Sequence, residues 1–305
     1  MVSEFLAGFG YPALLGGIGG LTRGFTTGAN EFFYLDKASQ EKWKIENEFL
    51  KPLIKTPKEC DTLIIDSKKL NFKVFLCDKP KSELKGTNAL KYILWGEQQN
   101  IEIKSGGEKG KKIKGYQNLE TVKNRKFWYE LPKLPQADVL FRQFFNEVFN
   151  YPINPKNYLT DHTFYYLVLK DKKDIEKFGL VLNSSVSWLF TELQGRKNMG
   201  GGVLTTYGPE MRKLIVFNPL LIKDAQIKIF NKISSRDISS VFEELGINPN
   251  KPIREQEPKP FSDRAELDKI IFDELGLTKE ERKEVYWSIC ELVRQRIEKA
   301  RSLNE

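Results

Sequence analysis

Over most of the chain, apolar residues come in short bursts broken by polar, Gly and Pro positions. "DTLIID" (61–66) and "FKVFLCD" (72–78) are β-prone runs and predict short strands. "NALKYILWGE" (88–97) instead has helical spacing, with Leu90, Ile93 and Leu94 on one face. "ADVLFRQFF" (137–145), "HTFYYLVL" (162–169) and "KLIVFNPLLI" (213–222) predict further strands. "SSVSWLFTELQGR" (184–196) predicts a helix. Ser184 or Ser185 caps it, Val186, Leu189, Phe190 and Leu193 face a core, and Gly195 ends it. The mixture predicts an α/β fold of α+β-like character, with an irregular mixed sheet, over residues 1–246.

The period changes towards the end. Leu267, Ile270, Ile271 and Leu275 make one helical face, and Val285, Ile289, Leu292, Val293 and Ile297 a second. Asp263 with Glu266, and Thr278 with Glu281, fit capping boxes. Residues 263–305 therefore predict a C-terminal helical hairpin or bundle. Between the two parts, "INPNKPIREQEPKPFS" (247–262) holds four Pro and no apolar period, which predicts a linker. At the other end, Val2 to Leu21 is apolar but carries Glu4, no basic leader and six Gly. A signal peptide or membrane helix would look different, so a buried strand or loop entry and a cytoplasmic location are expected.

Composition narrows the chemistry. With 305 residues, 40% hydrophobic and 30% charged, the chain can build a sizeable core. A formal charge of +8 suggests a polyanionic partner, against the alternative of a merely Lys-rich background. Three Cys, at 60, 77 and 290, form no CxxC pair, which argues against a disulfide framework or zinc site. The single His, His162, follows Asp161 and precedes an aromatic run, so a capping or core role outweighs general-base work.

Catalytic motifs are sparse. There is no P-loop, and the glycines of "GFGYPALLGG" lack a strand–GxGxxG–helix context. No Pro-Pro pair occurs, which excludes the Asp/Asn-Pro-Pro-Tyr/Phe tetrad of adenine-N6 methyltransferases. A Mg²⁺ nuclease site can be drawn from Asp66, Glu83 and Lys85, but "KPKSELKGTN" reads as turn and helix start, not as the strand that site needs.

Binding chemistry is better supported, in three clusters. In "LTRGFTTGANEFF" (21–33), Arg23 suits phosphate or guanine, and Gly24 and Gly28 permit close backbone approach. Thr26, Thr27 and Asn30 bring short polar groups, while Phe32 and Phe33 read as core anchors. The stretch 101–126 holds eight Lys or Arg against three Glu, with Lys109, Lys111, Lys112, Lys114, Lys123, Arg125 and Lys126 available to phosphates beside Trp128 and Tyr129. In "ELQGRKNMGGGVLTTYGPEMRKL" (192–214), Gln194, Arg196 and Asn198 suit base edges, and Gly200, Gly201 and Gly202 suit close approach to a ligand or a sharp bend. The plainer readings are a tight turn, a solvated loop and a flexible hairpin.

These clusters, in this order, carry a resemblance. "LTRGFTTGANEFFYL" resembles the Arg-Gly-x-x-Thr-Gly-x-Asn-x-x-Phe segment that opens the target-recognition domain of Taq-type adenine-N6 DNA methyltransferases and related restriction–modification enzymes. "RKFWYEL" is similar to their Trp-Tyr-x-Leu segment, and residues 184–219 look like their closing helix, Gly-rich turn and Leu-rich strand. "DRAELDKIIFDELGLTKEERKEVY" looks like their helical tail. The resemblance implies sequence-specific recognition of duplex DNA, with a methyltransferase catalytic domain or subunit as partner, in cis or in trans. It implies no cofactor in this chain, S-adenosylmethionine belonging to the catalytic half that the family carries upstream. Two other classes stay open: the Mg²⁺-dependent nuclease, and an interaction subunit that docks a partner through its helical tail.

Overall fold

The structure is a computed structural model that describes residues 12–18, 20–103, 107, 109–132, 134, 136–199 and 201–302. It is a mixed α/β fold of small sheets and helices. Strands run Pro12–Leu14 (β1), Gly20–Arg23 (β2), Tyr34–Leu35 (β3), Leu50–Ile54 (β4) and Phe72–Phe75 (β5). They continue as Asn100–Glu102 (β6), Lys112–Lys114 (β7), Val139–Arg142 (β8), Phe144–Phe145 (β9) and Leu159–Thr160 (β10). Phe164–Val168 (β11), Arg196–Met199 (β12), Val203–Thr205 (β13) and Ile215–Phe217 (β14) complete the set. The sheet orders are β1–β14, β10–β4–β5–β3, β2–β11–β8, β12–β13–β9 and β6–β7.

Two apolar cores organise these pieces. The first gathers residues between Ala29 and Leu131, around Phe32, Phe75, Tyr92 and Trp128. Phe32 stacks on Tyr92 at 4.7 Å and lies 4.5 Å from Trp128, so the Phe pair anchors a core as expected. The second runs from Leu15 through Val139, Phe141 and Trp188 to Val293. A smaller cluster with Ile54, Leu140, Phe164 and Tyr166 lies where β10 joins β4 in parallel.

The structure departs from the sequence reading where tertiary contacts outrank local pattern. Residues 61–66 form no strand. Thr62 and Ile64 make isolated bridges to different partners, Asp237 and Ile153. In 213–222 only 215–217 are extended, because Pro219 has no N–H to donate and Asn218 caps a 3-10 turn through Leu220 N. Helix Asn88–Gly96 buries Ala89, Tyr92, Ile93 and Gly96 and leaves Leu94 exposed. Gly96 is what lets Phe32 and Trp128 approach that face, since a Cβ there would stand 2.8 Å from the Phe32 ring. Helix Ser185–Gln194 is capped by Ser184, as read, but it buries Trp188, Thr191 and Glu192 while Leu193 is exposed.

The C-terminal helices, Ser262–Glu274 and Lys279–Ser302, bury Leu267, Ile271, Ile289 and Val293 in the second core. Thr278 and Glu281 form the expected capping box. Asp263 does not cap; it pairs with Arg236 at 2.6 Å. The segment before these helices is tied down by Arg254 to Glu284 and Glu291 and by Trp287 Nε1 donating to Gln256 O at 2.9 Å. A buried charge network closes the junction. Glu244 takes Arg236 at 2.6 Å and the fully buried Arg264 at 3.1 Å, and Arg264 lies 4.1 Å from the Trp188 ring. Arg296 binds Glu192 at 3.0 Å and also donates to the carbonyls of Gly202 and Asn146.

Glu244 generates a pH prediction. Burial pushes its carboxyl up, but hydrogen bonds from Arg236 and the charge of Arg264 outweigh that and hold it below its ordinary 4.5. Its contribution is therefore complete above pH 4.5, the unfolded value, and is lost as pH falls through the lower folded value. Asp268, pushed up by burial, opposes this branch. Glu244→Gln should cost about 3 kcal/mol at pH 7, because the buried Arg264 loses its paired carboxylate and Arg236 loses one of two. It should also flatten the loss of stability below pH 4.5, read by urea unfolding at a series of pH values.

Candidate nucleic-acid interface

The opening stretch leaves β2 at Arg23 and turns at once. Gly24 is buried against the 159–164 segment: a Cβ there would collide with the Asp161 carbonyl, and Gly24 N donates to Phe164 O at 2.9 Å. Gly24 thus serves backbone-on-backbone packing inside the protein. Arg23 stays exposed, and its Nε donates to His162 O at 3.0 Å. Gln143 Nε2 donates to the same carbonyl at 3.0 Å. Arg23 has no ion-pair partner among the described residues.

Beyond Gly24 the loop is built from inside. Thr27 is fully buried; its hydroxyl donates to Asn30 Oδ1 and accepts from Ala29 N. Gly28 has φ +74°, and Thr121 Oγ1 donates to its carbonyl at 2.6 Å. Arg125 donates to Thr27 O at 2.7 Å and to Glu130 O at 3.1 Å, over the Phe33 ring. Burial lowers the Arg125 pKa, in keeping with a cation committed to the protein. Asn30 is exposed at the rim of a groove of about 570 Å³ that also takes in Gly28, Ile101, Tyr116, Leu119 and Thr121. Burial, with the charge of Glu31, pushes the Tyr116 phenol up to about 12, so it remains a donor at neutral pH.

The basic stretch forms the hairpin β6–β7, with Lys112 opposite Glu102 and Lys114 opposite Asn100. Lys111, Lys112 and Lys114 are exposed along it. The groove therefore brings the opening stretch and the lysine hairpin together, while Trp128 and Tyr129 belong to the core and not to a surface.

The third cluster borders Arg23. Thr206 N donates to Gln143 O at 2.9 Å, next to the sheet β9–β13–β12, where Phe144, Thr205 and Arg196 stand opposite one another. Phe144 is 48% exposed, a surface aromatic that the apolar pattern hides inside a strand. Arg196 is exposed but clamped: Nε and Nη2 both reach Glu210, at 2.9 and 2.6 Å, and the guanidinium lies over Tyr207. Burial raises the Glu210 carboxyl, yet Arg196 and the Tyr207 amide bring it net below the ordinary range. Gln194 is half-buried, with Oε1 enclosed and unpaired, lining a narrow space with Tyr151 and Thr191. Gly201, at φ +72°, is exposed in open space; Gly202, at φ +70°, packs on Ile297 of the last helix. Asn198 lies on β12 with its side chain outside the described residues, as does all of Gly200.

His162 is the residue whose role changes most. Its ring is 34% exposed and Nδ1 lies 3.1 Å from the buried Asp161. Its adjacency to Asp161 is the signal in the sequence. Asp66 caps a 3-10 turn and Glu83 sits in another, and no group of three or more His, Cys, Asp or Glu among the described residues could hold a metal ion.

The family model described as "Type II methyltransferase M.Eco57I, C-terminal domain" matches residues 13–245. No curated protein matches the chain. The type IIG restriction endonuclease BpuSI has a similar solved structure, with a TM-score of 0.68 at 14% identity, covering 98% of this chain and 33% of that one. The chain thus spans about a third of that enzyme's length. The type IIL restriction-modification enzyme MmeI, solved in complex with DNA, gives a TM-score of 0.44 at 12% identity, over 92% of this chain and 36% of that one. No helix among the described residues is long and apolar enough to cross a membrane.

The Gly24 contact is testable. Gly24→Ala should cost about 1–3 kcal/mol, because backbone cannot yield as a side chain can. Gly17→Ala, with nothing within 4 Å of the new Cβ, should stay within about 0.5 kcal/mol of the parent. Urea unfolding of both variants measures the difference.

Proposed function

This chain belongs to the family of the type II methyltransferase M.Eco57I C-terminal domain, and from that membership we propose that it reads a duplex DNA sequence and positions an adenine-N6 methyltransferase on it. The observation that carries the reading is Arg23. An exposed cation oriented by one hydrogen bond to a carbonyl, with no carboxylate partner among the described residues, is preorganised for an external acceptor. Phosphate affinity comes from the exposed hairpin lysines Lys112 and Lys114. Asn30, at the groove rim, and Arg196, beside the exposed Phe144, extend the contact surface.

In this reading the chain supplies address and the catalytic domain supplies chemistry. S-adenosylmethionine would bind that domain, which flips the adenine out of the stack. Contacts here hold the duplex in register while that happens. Arg196 must leave Glu210 or share it in order to reach a base, so Arg23 contributes more per contact.

Binding of a randomised duplex pool by the 305-residue chain tests the proposal. The logarithm of affinity should fall linearly with the logarithm of salt concentration. Replacing Lys112 and Lys114 together with Ala should reduce that slope by about 1.8, roughly 0.9 per lost phosphate contact. Arg23→Ala and Arg196→Ala should each broaden the selected sequence. Equal loss across all sequences would make them phosphate clamps, and absence of any salt-dependent duplex binding would overturn the proposal.

A further inference from the structure

We infer that Arg23 and His162 act as one unit that reads a single G·C base pair from the major groove, an inference that rests on the DNA-binding role proposed above. Both groups are anchored on the same residue. Arg23 Nε and Gln143 Nε2 each donate to His162 O at 3.0 Å, which fixes the stem of this exposed guanidinium and leaves its two terminal nitrogens as a donor fork. The His162 ring is fixed from the other side. Its Nδ1 lies 3.1 Å from Asp161, and that carboxylate is buried, taking Tyr34 OH at 2.7 Å and Thr163 N at 2.9 Å.

The chemistry of the site follows from what Asp161 can do. A carboxylate only accepts, so Nδ1 carries a proton, and the tautomer with that proton alone leaves Nε2 as an acceptor. Burial and the adjacent Asp161 charge hold the Tyr34 phenol protonated, so Tyr34 stays a donor to the same group. Gly24, packed on the Asp161 carbonyl, keeps Arg23 beside this residue. The unit therefore presents two donors from Arg23 and one acceptor from His162.

That pattern decides among ligands. Across its major-groove edge a G·C pair offers the acceptors N7 and O6 of guanine and then the N4 amine donor of cytosine. An A·T pair offers a donor between two acceptors, which sets the adenine amine against the fork. A phosphate satisfies the fork but offers no donor to an Nε2 acceptor. One G·C pair is the partner that uses every group.

The test is a chemical cycle on the duplex selected by the full chain. 7-Deazaguanine removes N7, and 2-pyrimidinone in place of cytosine removes the N4 amine. The wild-type chain should lose roughly 10- to 100-fold in affinity to either analogue at one position. Arg23→Ala should become indifferent to 7-deazaguanine there, and His162→Ala indifferent to 2-pyrimidinone. His162→Gln, which restores a carbonyl acceptor, should regain part of the response to the amine, which a merely structural role for the ring would not produce. Variants that respond to both analogues as the wild type does, or a selected sequence without a guanine that depends on Arg23, overturn the inference while leaving DNA binding intact. A chain that binds no duplex overturns both.

Discussion

The contact of Gly24 with the Asp161 backbone is the constraint on which the candidate interface depends. It joins two segments 137 residues apart by backbone alone, with no side chain between them. β2 pairs with β11 immediately beside it, and Arg23 lies opposite Tyr165 in that pairing. Asp161 in turn donates its amide to Ile54 O, tying the same point to the four-stranded sheet. Strand pairing on one side and a carbonyl wedge on the other leave the 160–164 turn one position to occupy. Arg23, His162 and Gln143 inherit their placement from that turn.

The basic residues divide by what holds them. Arg125, Arg142, Arg264 and Arg296 spend their donors on protein carbonyls and carboxylates and are half-buried or buried. They are part of the scaffold. Arg196 lies between the classes, exposed yet paired with Glu210. Arg23, Lys112 and Lys114 are exposed without a carboxylate partner among the described residues. Net charge alone does not separate these groups, because a guanidinium that ties down a loop counts the same as one that meets a ligand.

Much of the fold was legible because its long-period signals are local. The Ser184 cap, the Thr278–Glu281 box and the apolar stripes of the last two helices need only neighbours within a turn or two. The Phe32–Phe33 anchor was legible for the same reason, as two large apolar groups after a turn. What escaped was set by distant partners. Thr27 and Arg125 look like surface binders in sequence but bond to each other's segment across about a hundred positions. Leu193 was read as buried and Glu192 was not, because the pairing with Arg296 on the last helix, more than a hundred residues away, that makes burial of that carboxylate tolerable is invisible locally. Phe144 was not singled out at all: its exposure follows from the place of β9 at a sheet edge, which the apolar run does not reveal.

The Arg296 bonds to the Gly202 and Asn146 carbonyls and to Glu192 bear on transplantation. The hairpin of β12 and β13 looks like a portable cassette, short and glycine-hinged. Its return turn, however, rests against Ile297 and is gripped from the final helix. A chimera that exchanges only residues 196–205 would separate the turn from the guanidinium that grips its Gly202 carbonyl and leave it with nothing to seat it in the new host. The smallest exchangeable unit includes Glu192, the hairpin and the helix that carries Arg296.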